Sequence, residues 1–396
     1  MIVVVGAGAA GLMAAIFAAR HGGRVRIIER TGDGGRKILI SGGGRCNILP
    51  SALAVDRFVT DSPPHLMRRM LRAWPLHEQR AFFEHDLSLP LALESETGKL
   101  FPVSNRARDV RAALVEQARG LGVVVDFNVS LTGLTPAGQR WNVETTRGTA
   151  LAERVILATG GLSVPSTGSD GSGLRLAAAL GIHVRATYPA LTPLTAEPPV
   201  HAALSGVSLR VRVRARSTGR DAESAGGFLF THRGYSGPAI LDVSHVAARD
   251  RTAAVRVQWA EVSEVAWAAQ LSGATGTVAN ALTVHLPIRL AVSLIEEAGI
   301  PADRRATQLR RGERARLLER LTAYPLPFTG DEGFKKAEVT GGGVALEDVN
   351  PLTLESRTHE GLFLCGEMLD AFGPIGGHNF AWAWATGRAA GISAAR

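Results

Sequence analysis

The sequence predicts an α/β protein: a domain built on a parallel sheet, discontinuous in the chain, and interrupted by a second domain of strands followed by helices. Three observations predict it. A short apolar strand at the N-terminus runs into a glycine turn and an alanine-rich helix, which is the opening of a βαβ unit. A strand ending in a glycine turn returns at Ala158-Thr159-Gly160-Gly161 and again at Gly366-Glu367, far apart in the chain. Between 189 and 335 the pattern changes to alternating strands and then charged helices, so the expected division is 1–188 with 336–396 for the first domain and 189–335 for the insert.

Taken in order, residues 2–5 form the first strand, 6–11 the turn, 12–21 the helix and 25–28 the second strand. Residues 41–47, Ser-Gly-Gly-Gly-Arg-Cys-Asn, hold too much glycine for helix or strand and let the backbone approach a ligand closely. A helix is expected over 64–85 and another over 108–120, followed by a strand at 123–127, a β-meander around 141–146 and a strand at 154–157. In the insert, strands at 207–216, 226–231 and 252–259 precede helices near 261–271, 286–298 and 304–322. The first domain resumes with a buried strand within 361–367 and closes with a helix over 379–390.

At 396 residues the chain suits two domains of ordinary size. Its apolar runs are broken by glycine or charge well before the roughly 20 residues that a bilayer span needs. The opening Met-Ile-Val-Val-Val-Gly has no basic leader and reads as a strand, not a secretion signal. Cys46 and Cys365 sit in no CxxC or metal-type cluster. A cytoplasmic protein with neither disulfides nor a metal site is the expectation. The net charge of +8 rests on 40 arginines and four lysines, Lys37, Lys99, Lys335 and Lys336. A basic surface attracts phosphates and acidic substrates, although an arginine bias also follows from genome composition.

Gly6-Ala7-Gly8-Ala9-Ala10-Gly11 is a G-x-G-x-x-G fingerprint between a strand and a helix, the context that identifies a Rossmann-like dinucleotide site. The first glycine permits the tight turn, the second lets backbone touch a pyrophosphate, and the third lets helix and strand pack closely. The helix N-terminus stabilises the anion. Glu29 ends the second strand, where a carboxylate accepts hydrogen bonds from an adenosine ribose and argues against a 2′-phosphate. Arg30 and Val129 are further expected contacts.

The fingerprint does not separate NAD from FAD, since both present the same ADP half. The return to the first sheet after a long excursion favours FAD, held by a two-dinucleotide-binding type of fold and covered by the inserted domain. In Pro374-Ile375-Gly376-Gly377-His378-Asn379 a glycine pair leads into a helix, whose free N–H groups would face the flavin pyrimidine edge. Asn379 as a plain N-cap is the simpler alternative.

These runs carry a family resemblance. With Gly35 to Asn47, Phe230 to Pro238, Val339 to Gly343 and Gly366-Glu367-Met368-Leu369-Asp370, the chain resembles the BaiN-type NAD(P)/FAD-dependent oxidoreductases, also met as aminoacetone-oxidase-like flavoproteins. The Ser-Gly-Gly-Gly-Arg-Cys-Asn run is the most specific part. The resemblance implies that Arg36, Lys37, Arg45, Cys46 and Asn47 lie along the FAD, together with Thr159, Gly160, Gly366, Glu367, Gly376, Gly377, His378 and Asn379. One departure matters: the family usually carries Gly-Gly-Tyr-Asn where this chain has Gly376-Gly377-His378-Asn379, so chemistry ascribed to the tyrosine does not carry over.

His378 is the expected acid–base residue, because imidazole exchanges a proton near neutral pH, or else a histidine satisfied by neighbouring backbone. Arg45 either holds an anionic or carbonyl group or buttresses the glycine loop. Cys46 either offers a thiol or packs as a small apolar group. Lys37 is either a cation beside the cofactor or a solvated side chain. His232, Arg233 and Tyr235 either face the substrate or shape the turn before Ser236. Arg210, Arg212, Arg214 and Arg216 alternate with apolar residues and form a stripe on one sheet face, joined by an arginine-rich helix at 304–320; the stripe is a phosphate-binding surface or a solvated face.

By resemblance the reaction is reduction of an activated C=C bond with NAD(P)H as transient donor, on an unsaturated ring or a uracil in ribosomal RNA. Amine or aminoketone oxidation with O₂ is the enzymatic rival, and an RNA-binding protein with structural FAD is the reading from another class.

Overall fold

Ile2–Val5 is apolar throughout and buried on both faces, as a central strand of a parallel sheet must be. In the computed structural model, which describes residues 1–396, it pairs in parallel with Arg154–Leu157 on one side and Val25–Glu29 on the other. Leu362–Leu364 and Val124–Phe127 complete the five strands at the two edges, all parallel. Val5 stands beside both Leu157 and Ile28. The glycine turns that follow the strands therefore emerge together at their carboxyl ends, where open α/β sheets place ligands. This sheet belongs to the first of two compact units, Met1–Tyr188 with Glu338–Arg396; the second is Pro189–Ala337.

Helices Ala9–Arg20 and His378–Ala394 pack backbone against backbone. A β-carbon at Gly387 would stand 2.4 Å from the Ala10 carbonyl oxygen, and one at Gly391 would stand 2.2 Å from that of Ala14. The first and last helices of the chain meet only because both positions are glycine.

Several elements differ from expectation. The helix read over 64–85 is two, Pro64–Arg72 and Leu76–Ala81, with a π-type turn at Phe82–Asp86. Pro75 separates them, since its ring has no N–H to continue the ladder. Before the glycine run lies a short helix, Arg36–Ile40, that the pattern did not announce, and Ser41–Gly44 is a 3₁₀ turn with left-handed Gly42 and Gly43. The meander comprises Leu131–Ala137, Arg140–Thr145 and Gly148–Ala152.

The second unit is built on a seven-stranded antiparallel sheet whose long hairpin is Ser208–Ser217 with Arg220–Phe230. Its inner face and helices enclose a core with Phe228, Phe230, Trp259 and Trp267. Helix Pro238–Arg249, hidden in what reads as a turn after Ser236-Gly237, packs on this sheet. No helix is long and apolar enough to cross a membrane.

Candidate cofactor and active site

The three fingerprint glycines are required for different reasons. Gly6 has φ 104° and its absent β-carbon would stand 2.6 Å from the Ala158 carbonyl oxygen. One at Gly11 would stand 1.9 Å from the carbonyl oxygen of Gly6. The protein's own packing demands both. Gly8 has an ordinary φ of −80° and no atom within 4 Å of the place its side chain would occupy. Nothing in the chain needs glycine there, so the space is left for a ligand at the N-terminus of Ala9–Arg20, whose first turn has no side-chain cap.

Glu29 is buried beneath this turn. Its Oε2 accepts from the Ala7 N–H at 2.7 Å, and its Oε1 accepts from the Thr31 N–H and hydroxyl at 2.8 and 2.7 Å. A carboxylate offers about four acceptor positions, so this clamp leaves capacity for a ribose diol. Arg30 pairs with Asp170; against partial burial, that pair and Ser172 hold the Asp170 carboxyl down at about 2. Val129 is buried and its N–H donates to the Glu29 carbonyl at 2.9 Å.

Lys37 is not a free cation. Its ammonium donates to Ser163 Oγ at 2.7 Å and to Glu367 Oε2 at 2.5 Å. Glu367 Oε1 in turn accepts from the Ser163 hydroxyl and from the N–H and hydroxyl of Thr340 at 3.1 and 3.0 Å. Four segments distant in sequence are clasped around one carboxylate. Gly160, with φ 73°, and Gly366, with φ 78°, turn the chain on either side of it, and Thr159 precedes the first turn. A β-carbon at Gly366 would stand 2.7 Å from that of Ala10, so this turn lies against the fingerprint helix.

In the glycine loop, Gly43 and Gly44 are exposed and left-handed, and a β-carbon at either would meet no atom closer than 4.0 Å. Arg36 pairs with Asp33 at 2.6 Å. Arg45 pairs with Glu94 at 2.9 Å and lies over the Phe101 ring at 4.0 Å, which makes it a buttress of the loop. Asn47 is half-buried at the loop's end. Cys46 is corrected as a catalytic candidate: burial pushes its thiol up to about 12, so no thiolate is present at neutral pH. Of the three residues read as facing the substrate or shaping the turn before Ser236, Tyr235 is fully buried with its hydroxyl 2.7 Å from His201 Nδ1, while His232 and Arg233 are exposed.

At the far end, Gly376 and Gly377 have φ 108° and 96°, and the latter's β-carbon would stand 2.6 Å from the Leu49 carbonyl carbon. Gly377, not Asn379, is the N-cap of the last helix, which again has no side-chain cap. Asn379 instead ties the preceding loop, accepting from the Gly373 N–H at 2.9 Å and donating to its carbonyl at 3.0 Å. His378 is buried; its Nε2 accepts from the Ala54 N–H at 3.3 Å, and its ring stands edge-on to Phe58. That acceptor role places the neutral ring's proton on Nδ1.

Two residues escaped the sequence reading. Asp370 is buried, and burial pushes its carboxyl up to about 6 despite bonds from Ser62 Oγ at 2.8 Å and Arg185 Nε at 3.2 Å. Its place at the end of the Gly366–Asp370 run was the available signal. Lys99 reaches Gly376: its Cε would lie 3.5 Å from a β-carbon there. Only its rarity as a lysine marked it.

With this geometry in view, the sequence pattern of the HI0933-like protein Rossmann domain matches residues 1–393. The chain belongs to the HI0933-like family. It is an FAD-dependent oxidoreductase, and the open space at Gly8, the uncapped helix and the Glu29 clamp fit that cofactor. A 3-dehydro-bile acid Δ(4,6)-reductase of Clostridium scindens is 34% identical over 99% of this chain and 98% of its own. A ribosomal RNA dihydrouridine synthase of Escherichia coli is 30% identical over 97% of this chain and 95% of its own. The open conformation of a flavocytochrome c3 fumarate reductase, 15% identical, superposes with a TM-score of 0.52 over all of this HI0933-like chain and 78% of that one, a likeness of fold.

Proposed function

We propose that the protein is a cytoplasmic reductase that moves two electrons from NAD(P)H to a C=C bond conjugated to a carbonyl in an unsaturated ring. FAD, when bound, would supply the hydride-transfer chemistry that links the two partners. The observation that carries this reading is the agreement of two chain-length relatives whose names describe saturation of a ring C=C bond, one in a bile acid and one in uridine. The chain's residues have separable tasks in it. Gly8 and the first turn of Ala9–Arg20 bind the pyrophosphate, Glu29 the adenosine ribose, and Arg30 and Val129 border that end. The Lys37–Glu367 clasp fixes the turns at Thr159-Gly160 and Gly366. Arg36, Arg45, Cys46 and Asn47 shape the loop behind Gly43, and Gly376, Gly377 and Asn379 set the start of the last helix, whose free N–H groups would meet the cofactor. His378 holds a proton at Nδ1 for the substrate carbon.

The test is anaerobic titration of the yellow protein followed by flavin absorbance. NADPH or NADH is expected to bleach it, and an unsaturated ring acceptor to restore the colour faster than air does. Rapid bleaching by a primary amine, with peroxide formed in air, overturns the reading in favour of an oxidase.

A further inference from the structure

The large sheet of the second unit buries one face and leaves the other bare. On Ser208–Ser217, Val211, Val213 and Ala215 are buried, whereas Arg210, Arg212, Arg214 and Arg216 are exposed. The neighbouring strands extend the exposed face. Arg256 and Glu223 flank Arg214, Gln258 and Ala225 flank Arg212, Asp221 stands beside Arg216, and Gly227 beside Arg210. Five arginines thus share three strands with two carboxylates, and two of them, Arg214 and Arg256, face each other directly. Like charges opposed across a ladder destabilise a sheet, so stability does not account for the arrangement.

The carboxylates sit toward one end. Asp221 takes Arg214 and Arg216, and Glu223 takes Arg212, all at exposed positions. Exposed ion pairs of this kind are weak and readily exchanged for another anion. At the other end exposed Ala225 presents little bulk beside Arg212, so a ligand can lie close to the backbone there, while Gly227, beside Arg210, packs against Pro238. The face carries no aromatic ring on these three strands, which leaves base stacking out and backbone charge in.

We propose that this face docks the sugar–phosphate backbone of an RNA substrate. The inference rests on the reductase reading above and selects, from its substrate class, a pyrimidine within RNA. An extended cationic surface without stacking groups contacts phosphates regardless of sequence, so it sets affinity and register while the choice of base is made elsewhere.

The test uses the FAD-loaded full chain and a ribosomal RNA transcript, with affinity measured across a salt series. The variants are Arg210→Ala, Arg212→Ala and Arg256→Ala, singly and combined, and Asp221→Asn with Glu223→Gln. Each arginine removed is expected to lower the slope of log affinity against log salt by about one, and the triple variant to bind on the order of 100-fold more weakly at physiological salt. The acidic double variant should bind several-fold tighter. Bleaching by NAD(P)H and reduction of free uridine should not change, which shows that the variants are folded and loaded. If the wild type binds and reduces RNA while the triple variant keeps its affinity and slope, the face is not the docking surface and the reductase reading stands. If the wild type reduces a small ring but has no RNA affinity, or the arginines prove to govern binding to anionic lipid vesicles and not RNA, the inference also fails. A flavin that neither donor bleaches defeats the reductase reading itself.

Discussion

Each unit of the molecule hides a polar cluster, and the two are built on opposite principles. In the first unit Lys37, Ser163, Thr340 and Glu367 gather an ammonium and a carboxylate at the carboxyl ends of parallel strands. Glycine turns surround them. In the second unit the Tyr235 hydroxyl meets His201 Nδ1 at 2.7 Å, His201 Nε2 meets the Tyr324 hydroxyl at 3.0 Å, and that hydroxyl donates to Glu297 at 2.7 Å. Here Phe230, Phe228 and Trp259 close around the polar atoms, and burial pushes both phenols up. The contrast teaches that a buried polar cluster marks a site by where the fold puts it. The first lies at the carboxyl ends of the parallel strands, where open α/β sheets place ligands, and the second is sealed by its own rings.

The two carboxylates offer the most direct challenge to this contrast. Glu367→Gln strands the Lys37 ammonium and is expected to cost about 3 kcal/mol with loss of bound FAD, read by denaturant melts and by flavin release. Glu297→Gln should cost about 1–3 kcal/mol and leave the flavin spectrum unchanged. A loss of FAD from the second variant but not the first would reverse the roles assigned to the clusters. Burial alone would raise the Glu297 carboxyl, but His201 and Tyr324 hold it below the usual range. Its contribution is therefore present above the unfolded carboxylate range and lost as pH falls, and a melt series in acid should show Glu297→Gln insensitive to that loss.

Asp370 adds a titration of the opposite sign. Its folded carboxyl titrates at about 6, against about 3.9 in an unfolded chain. Between those values the folded state binds more protons, so stability falls as pH rises, by about 3 kcal/mol in all. Asp370→Asn should remove this slope between pH ~4 and ~6, measured by urea unfolding at fixed pH. A smaller effect is expected at Cys46: Cys46→Ala should cost about 1 kcal/mol and leave flavin turnover intact. Gly8→Ala should change the stability of the cofactor-free protein least, within about 0.5 kcal/mol, yet weaken FAD binding on the order of tenfold or more, read by fluorescence of free flavin. An unchanged FAD affinity would mean that the space at Gly8 serves nothing.

What was legible in the sequence was local. The turn at Gly6 to Gly11, the second strand ending in Glu29 and the alternation of arginine with valine in 208–217 each declare themselves within a dozen residues, through spacing and chirality. What was not legible depends on partners far along the chain. Nothing near Lys37 points to Glu367, and nothing near Ala10 announces that Gly387 must lack a side chain to meet it. Tyr235, beside Gly234, Ser236 and Gly237, reads as a substrate-facing or turn-shaping residue; only the fold brings His201 to its hydroxyl. Helix Pro238–Arg249 was masked by that same glycine, since proline at a first helical position also looks like a turn.

The glycine-to-carbonyl contact between the first and last helices also orders events during synthesis. The fingerprint helix is translated long before Gly387 and Gly391, so its bare backbone at Ala10 and Ala14 waits for them. The inserted unit, whose strands and helices are contiguous, can close in the meantime. Completion of the cofactor domain thereby waits for helix His378–Ala394, and a nascent chain stalled before it would carry a finished insert and an unfinished cofactor domain.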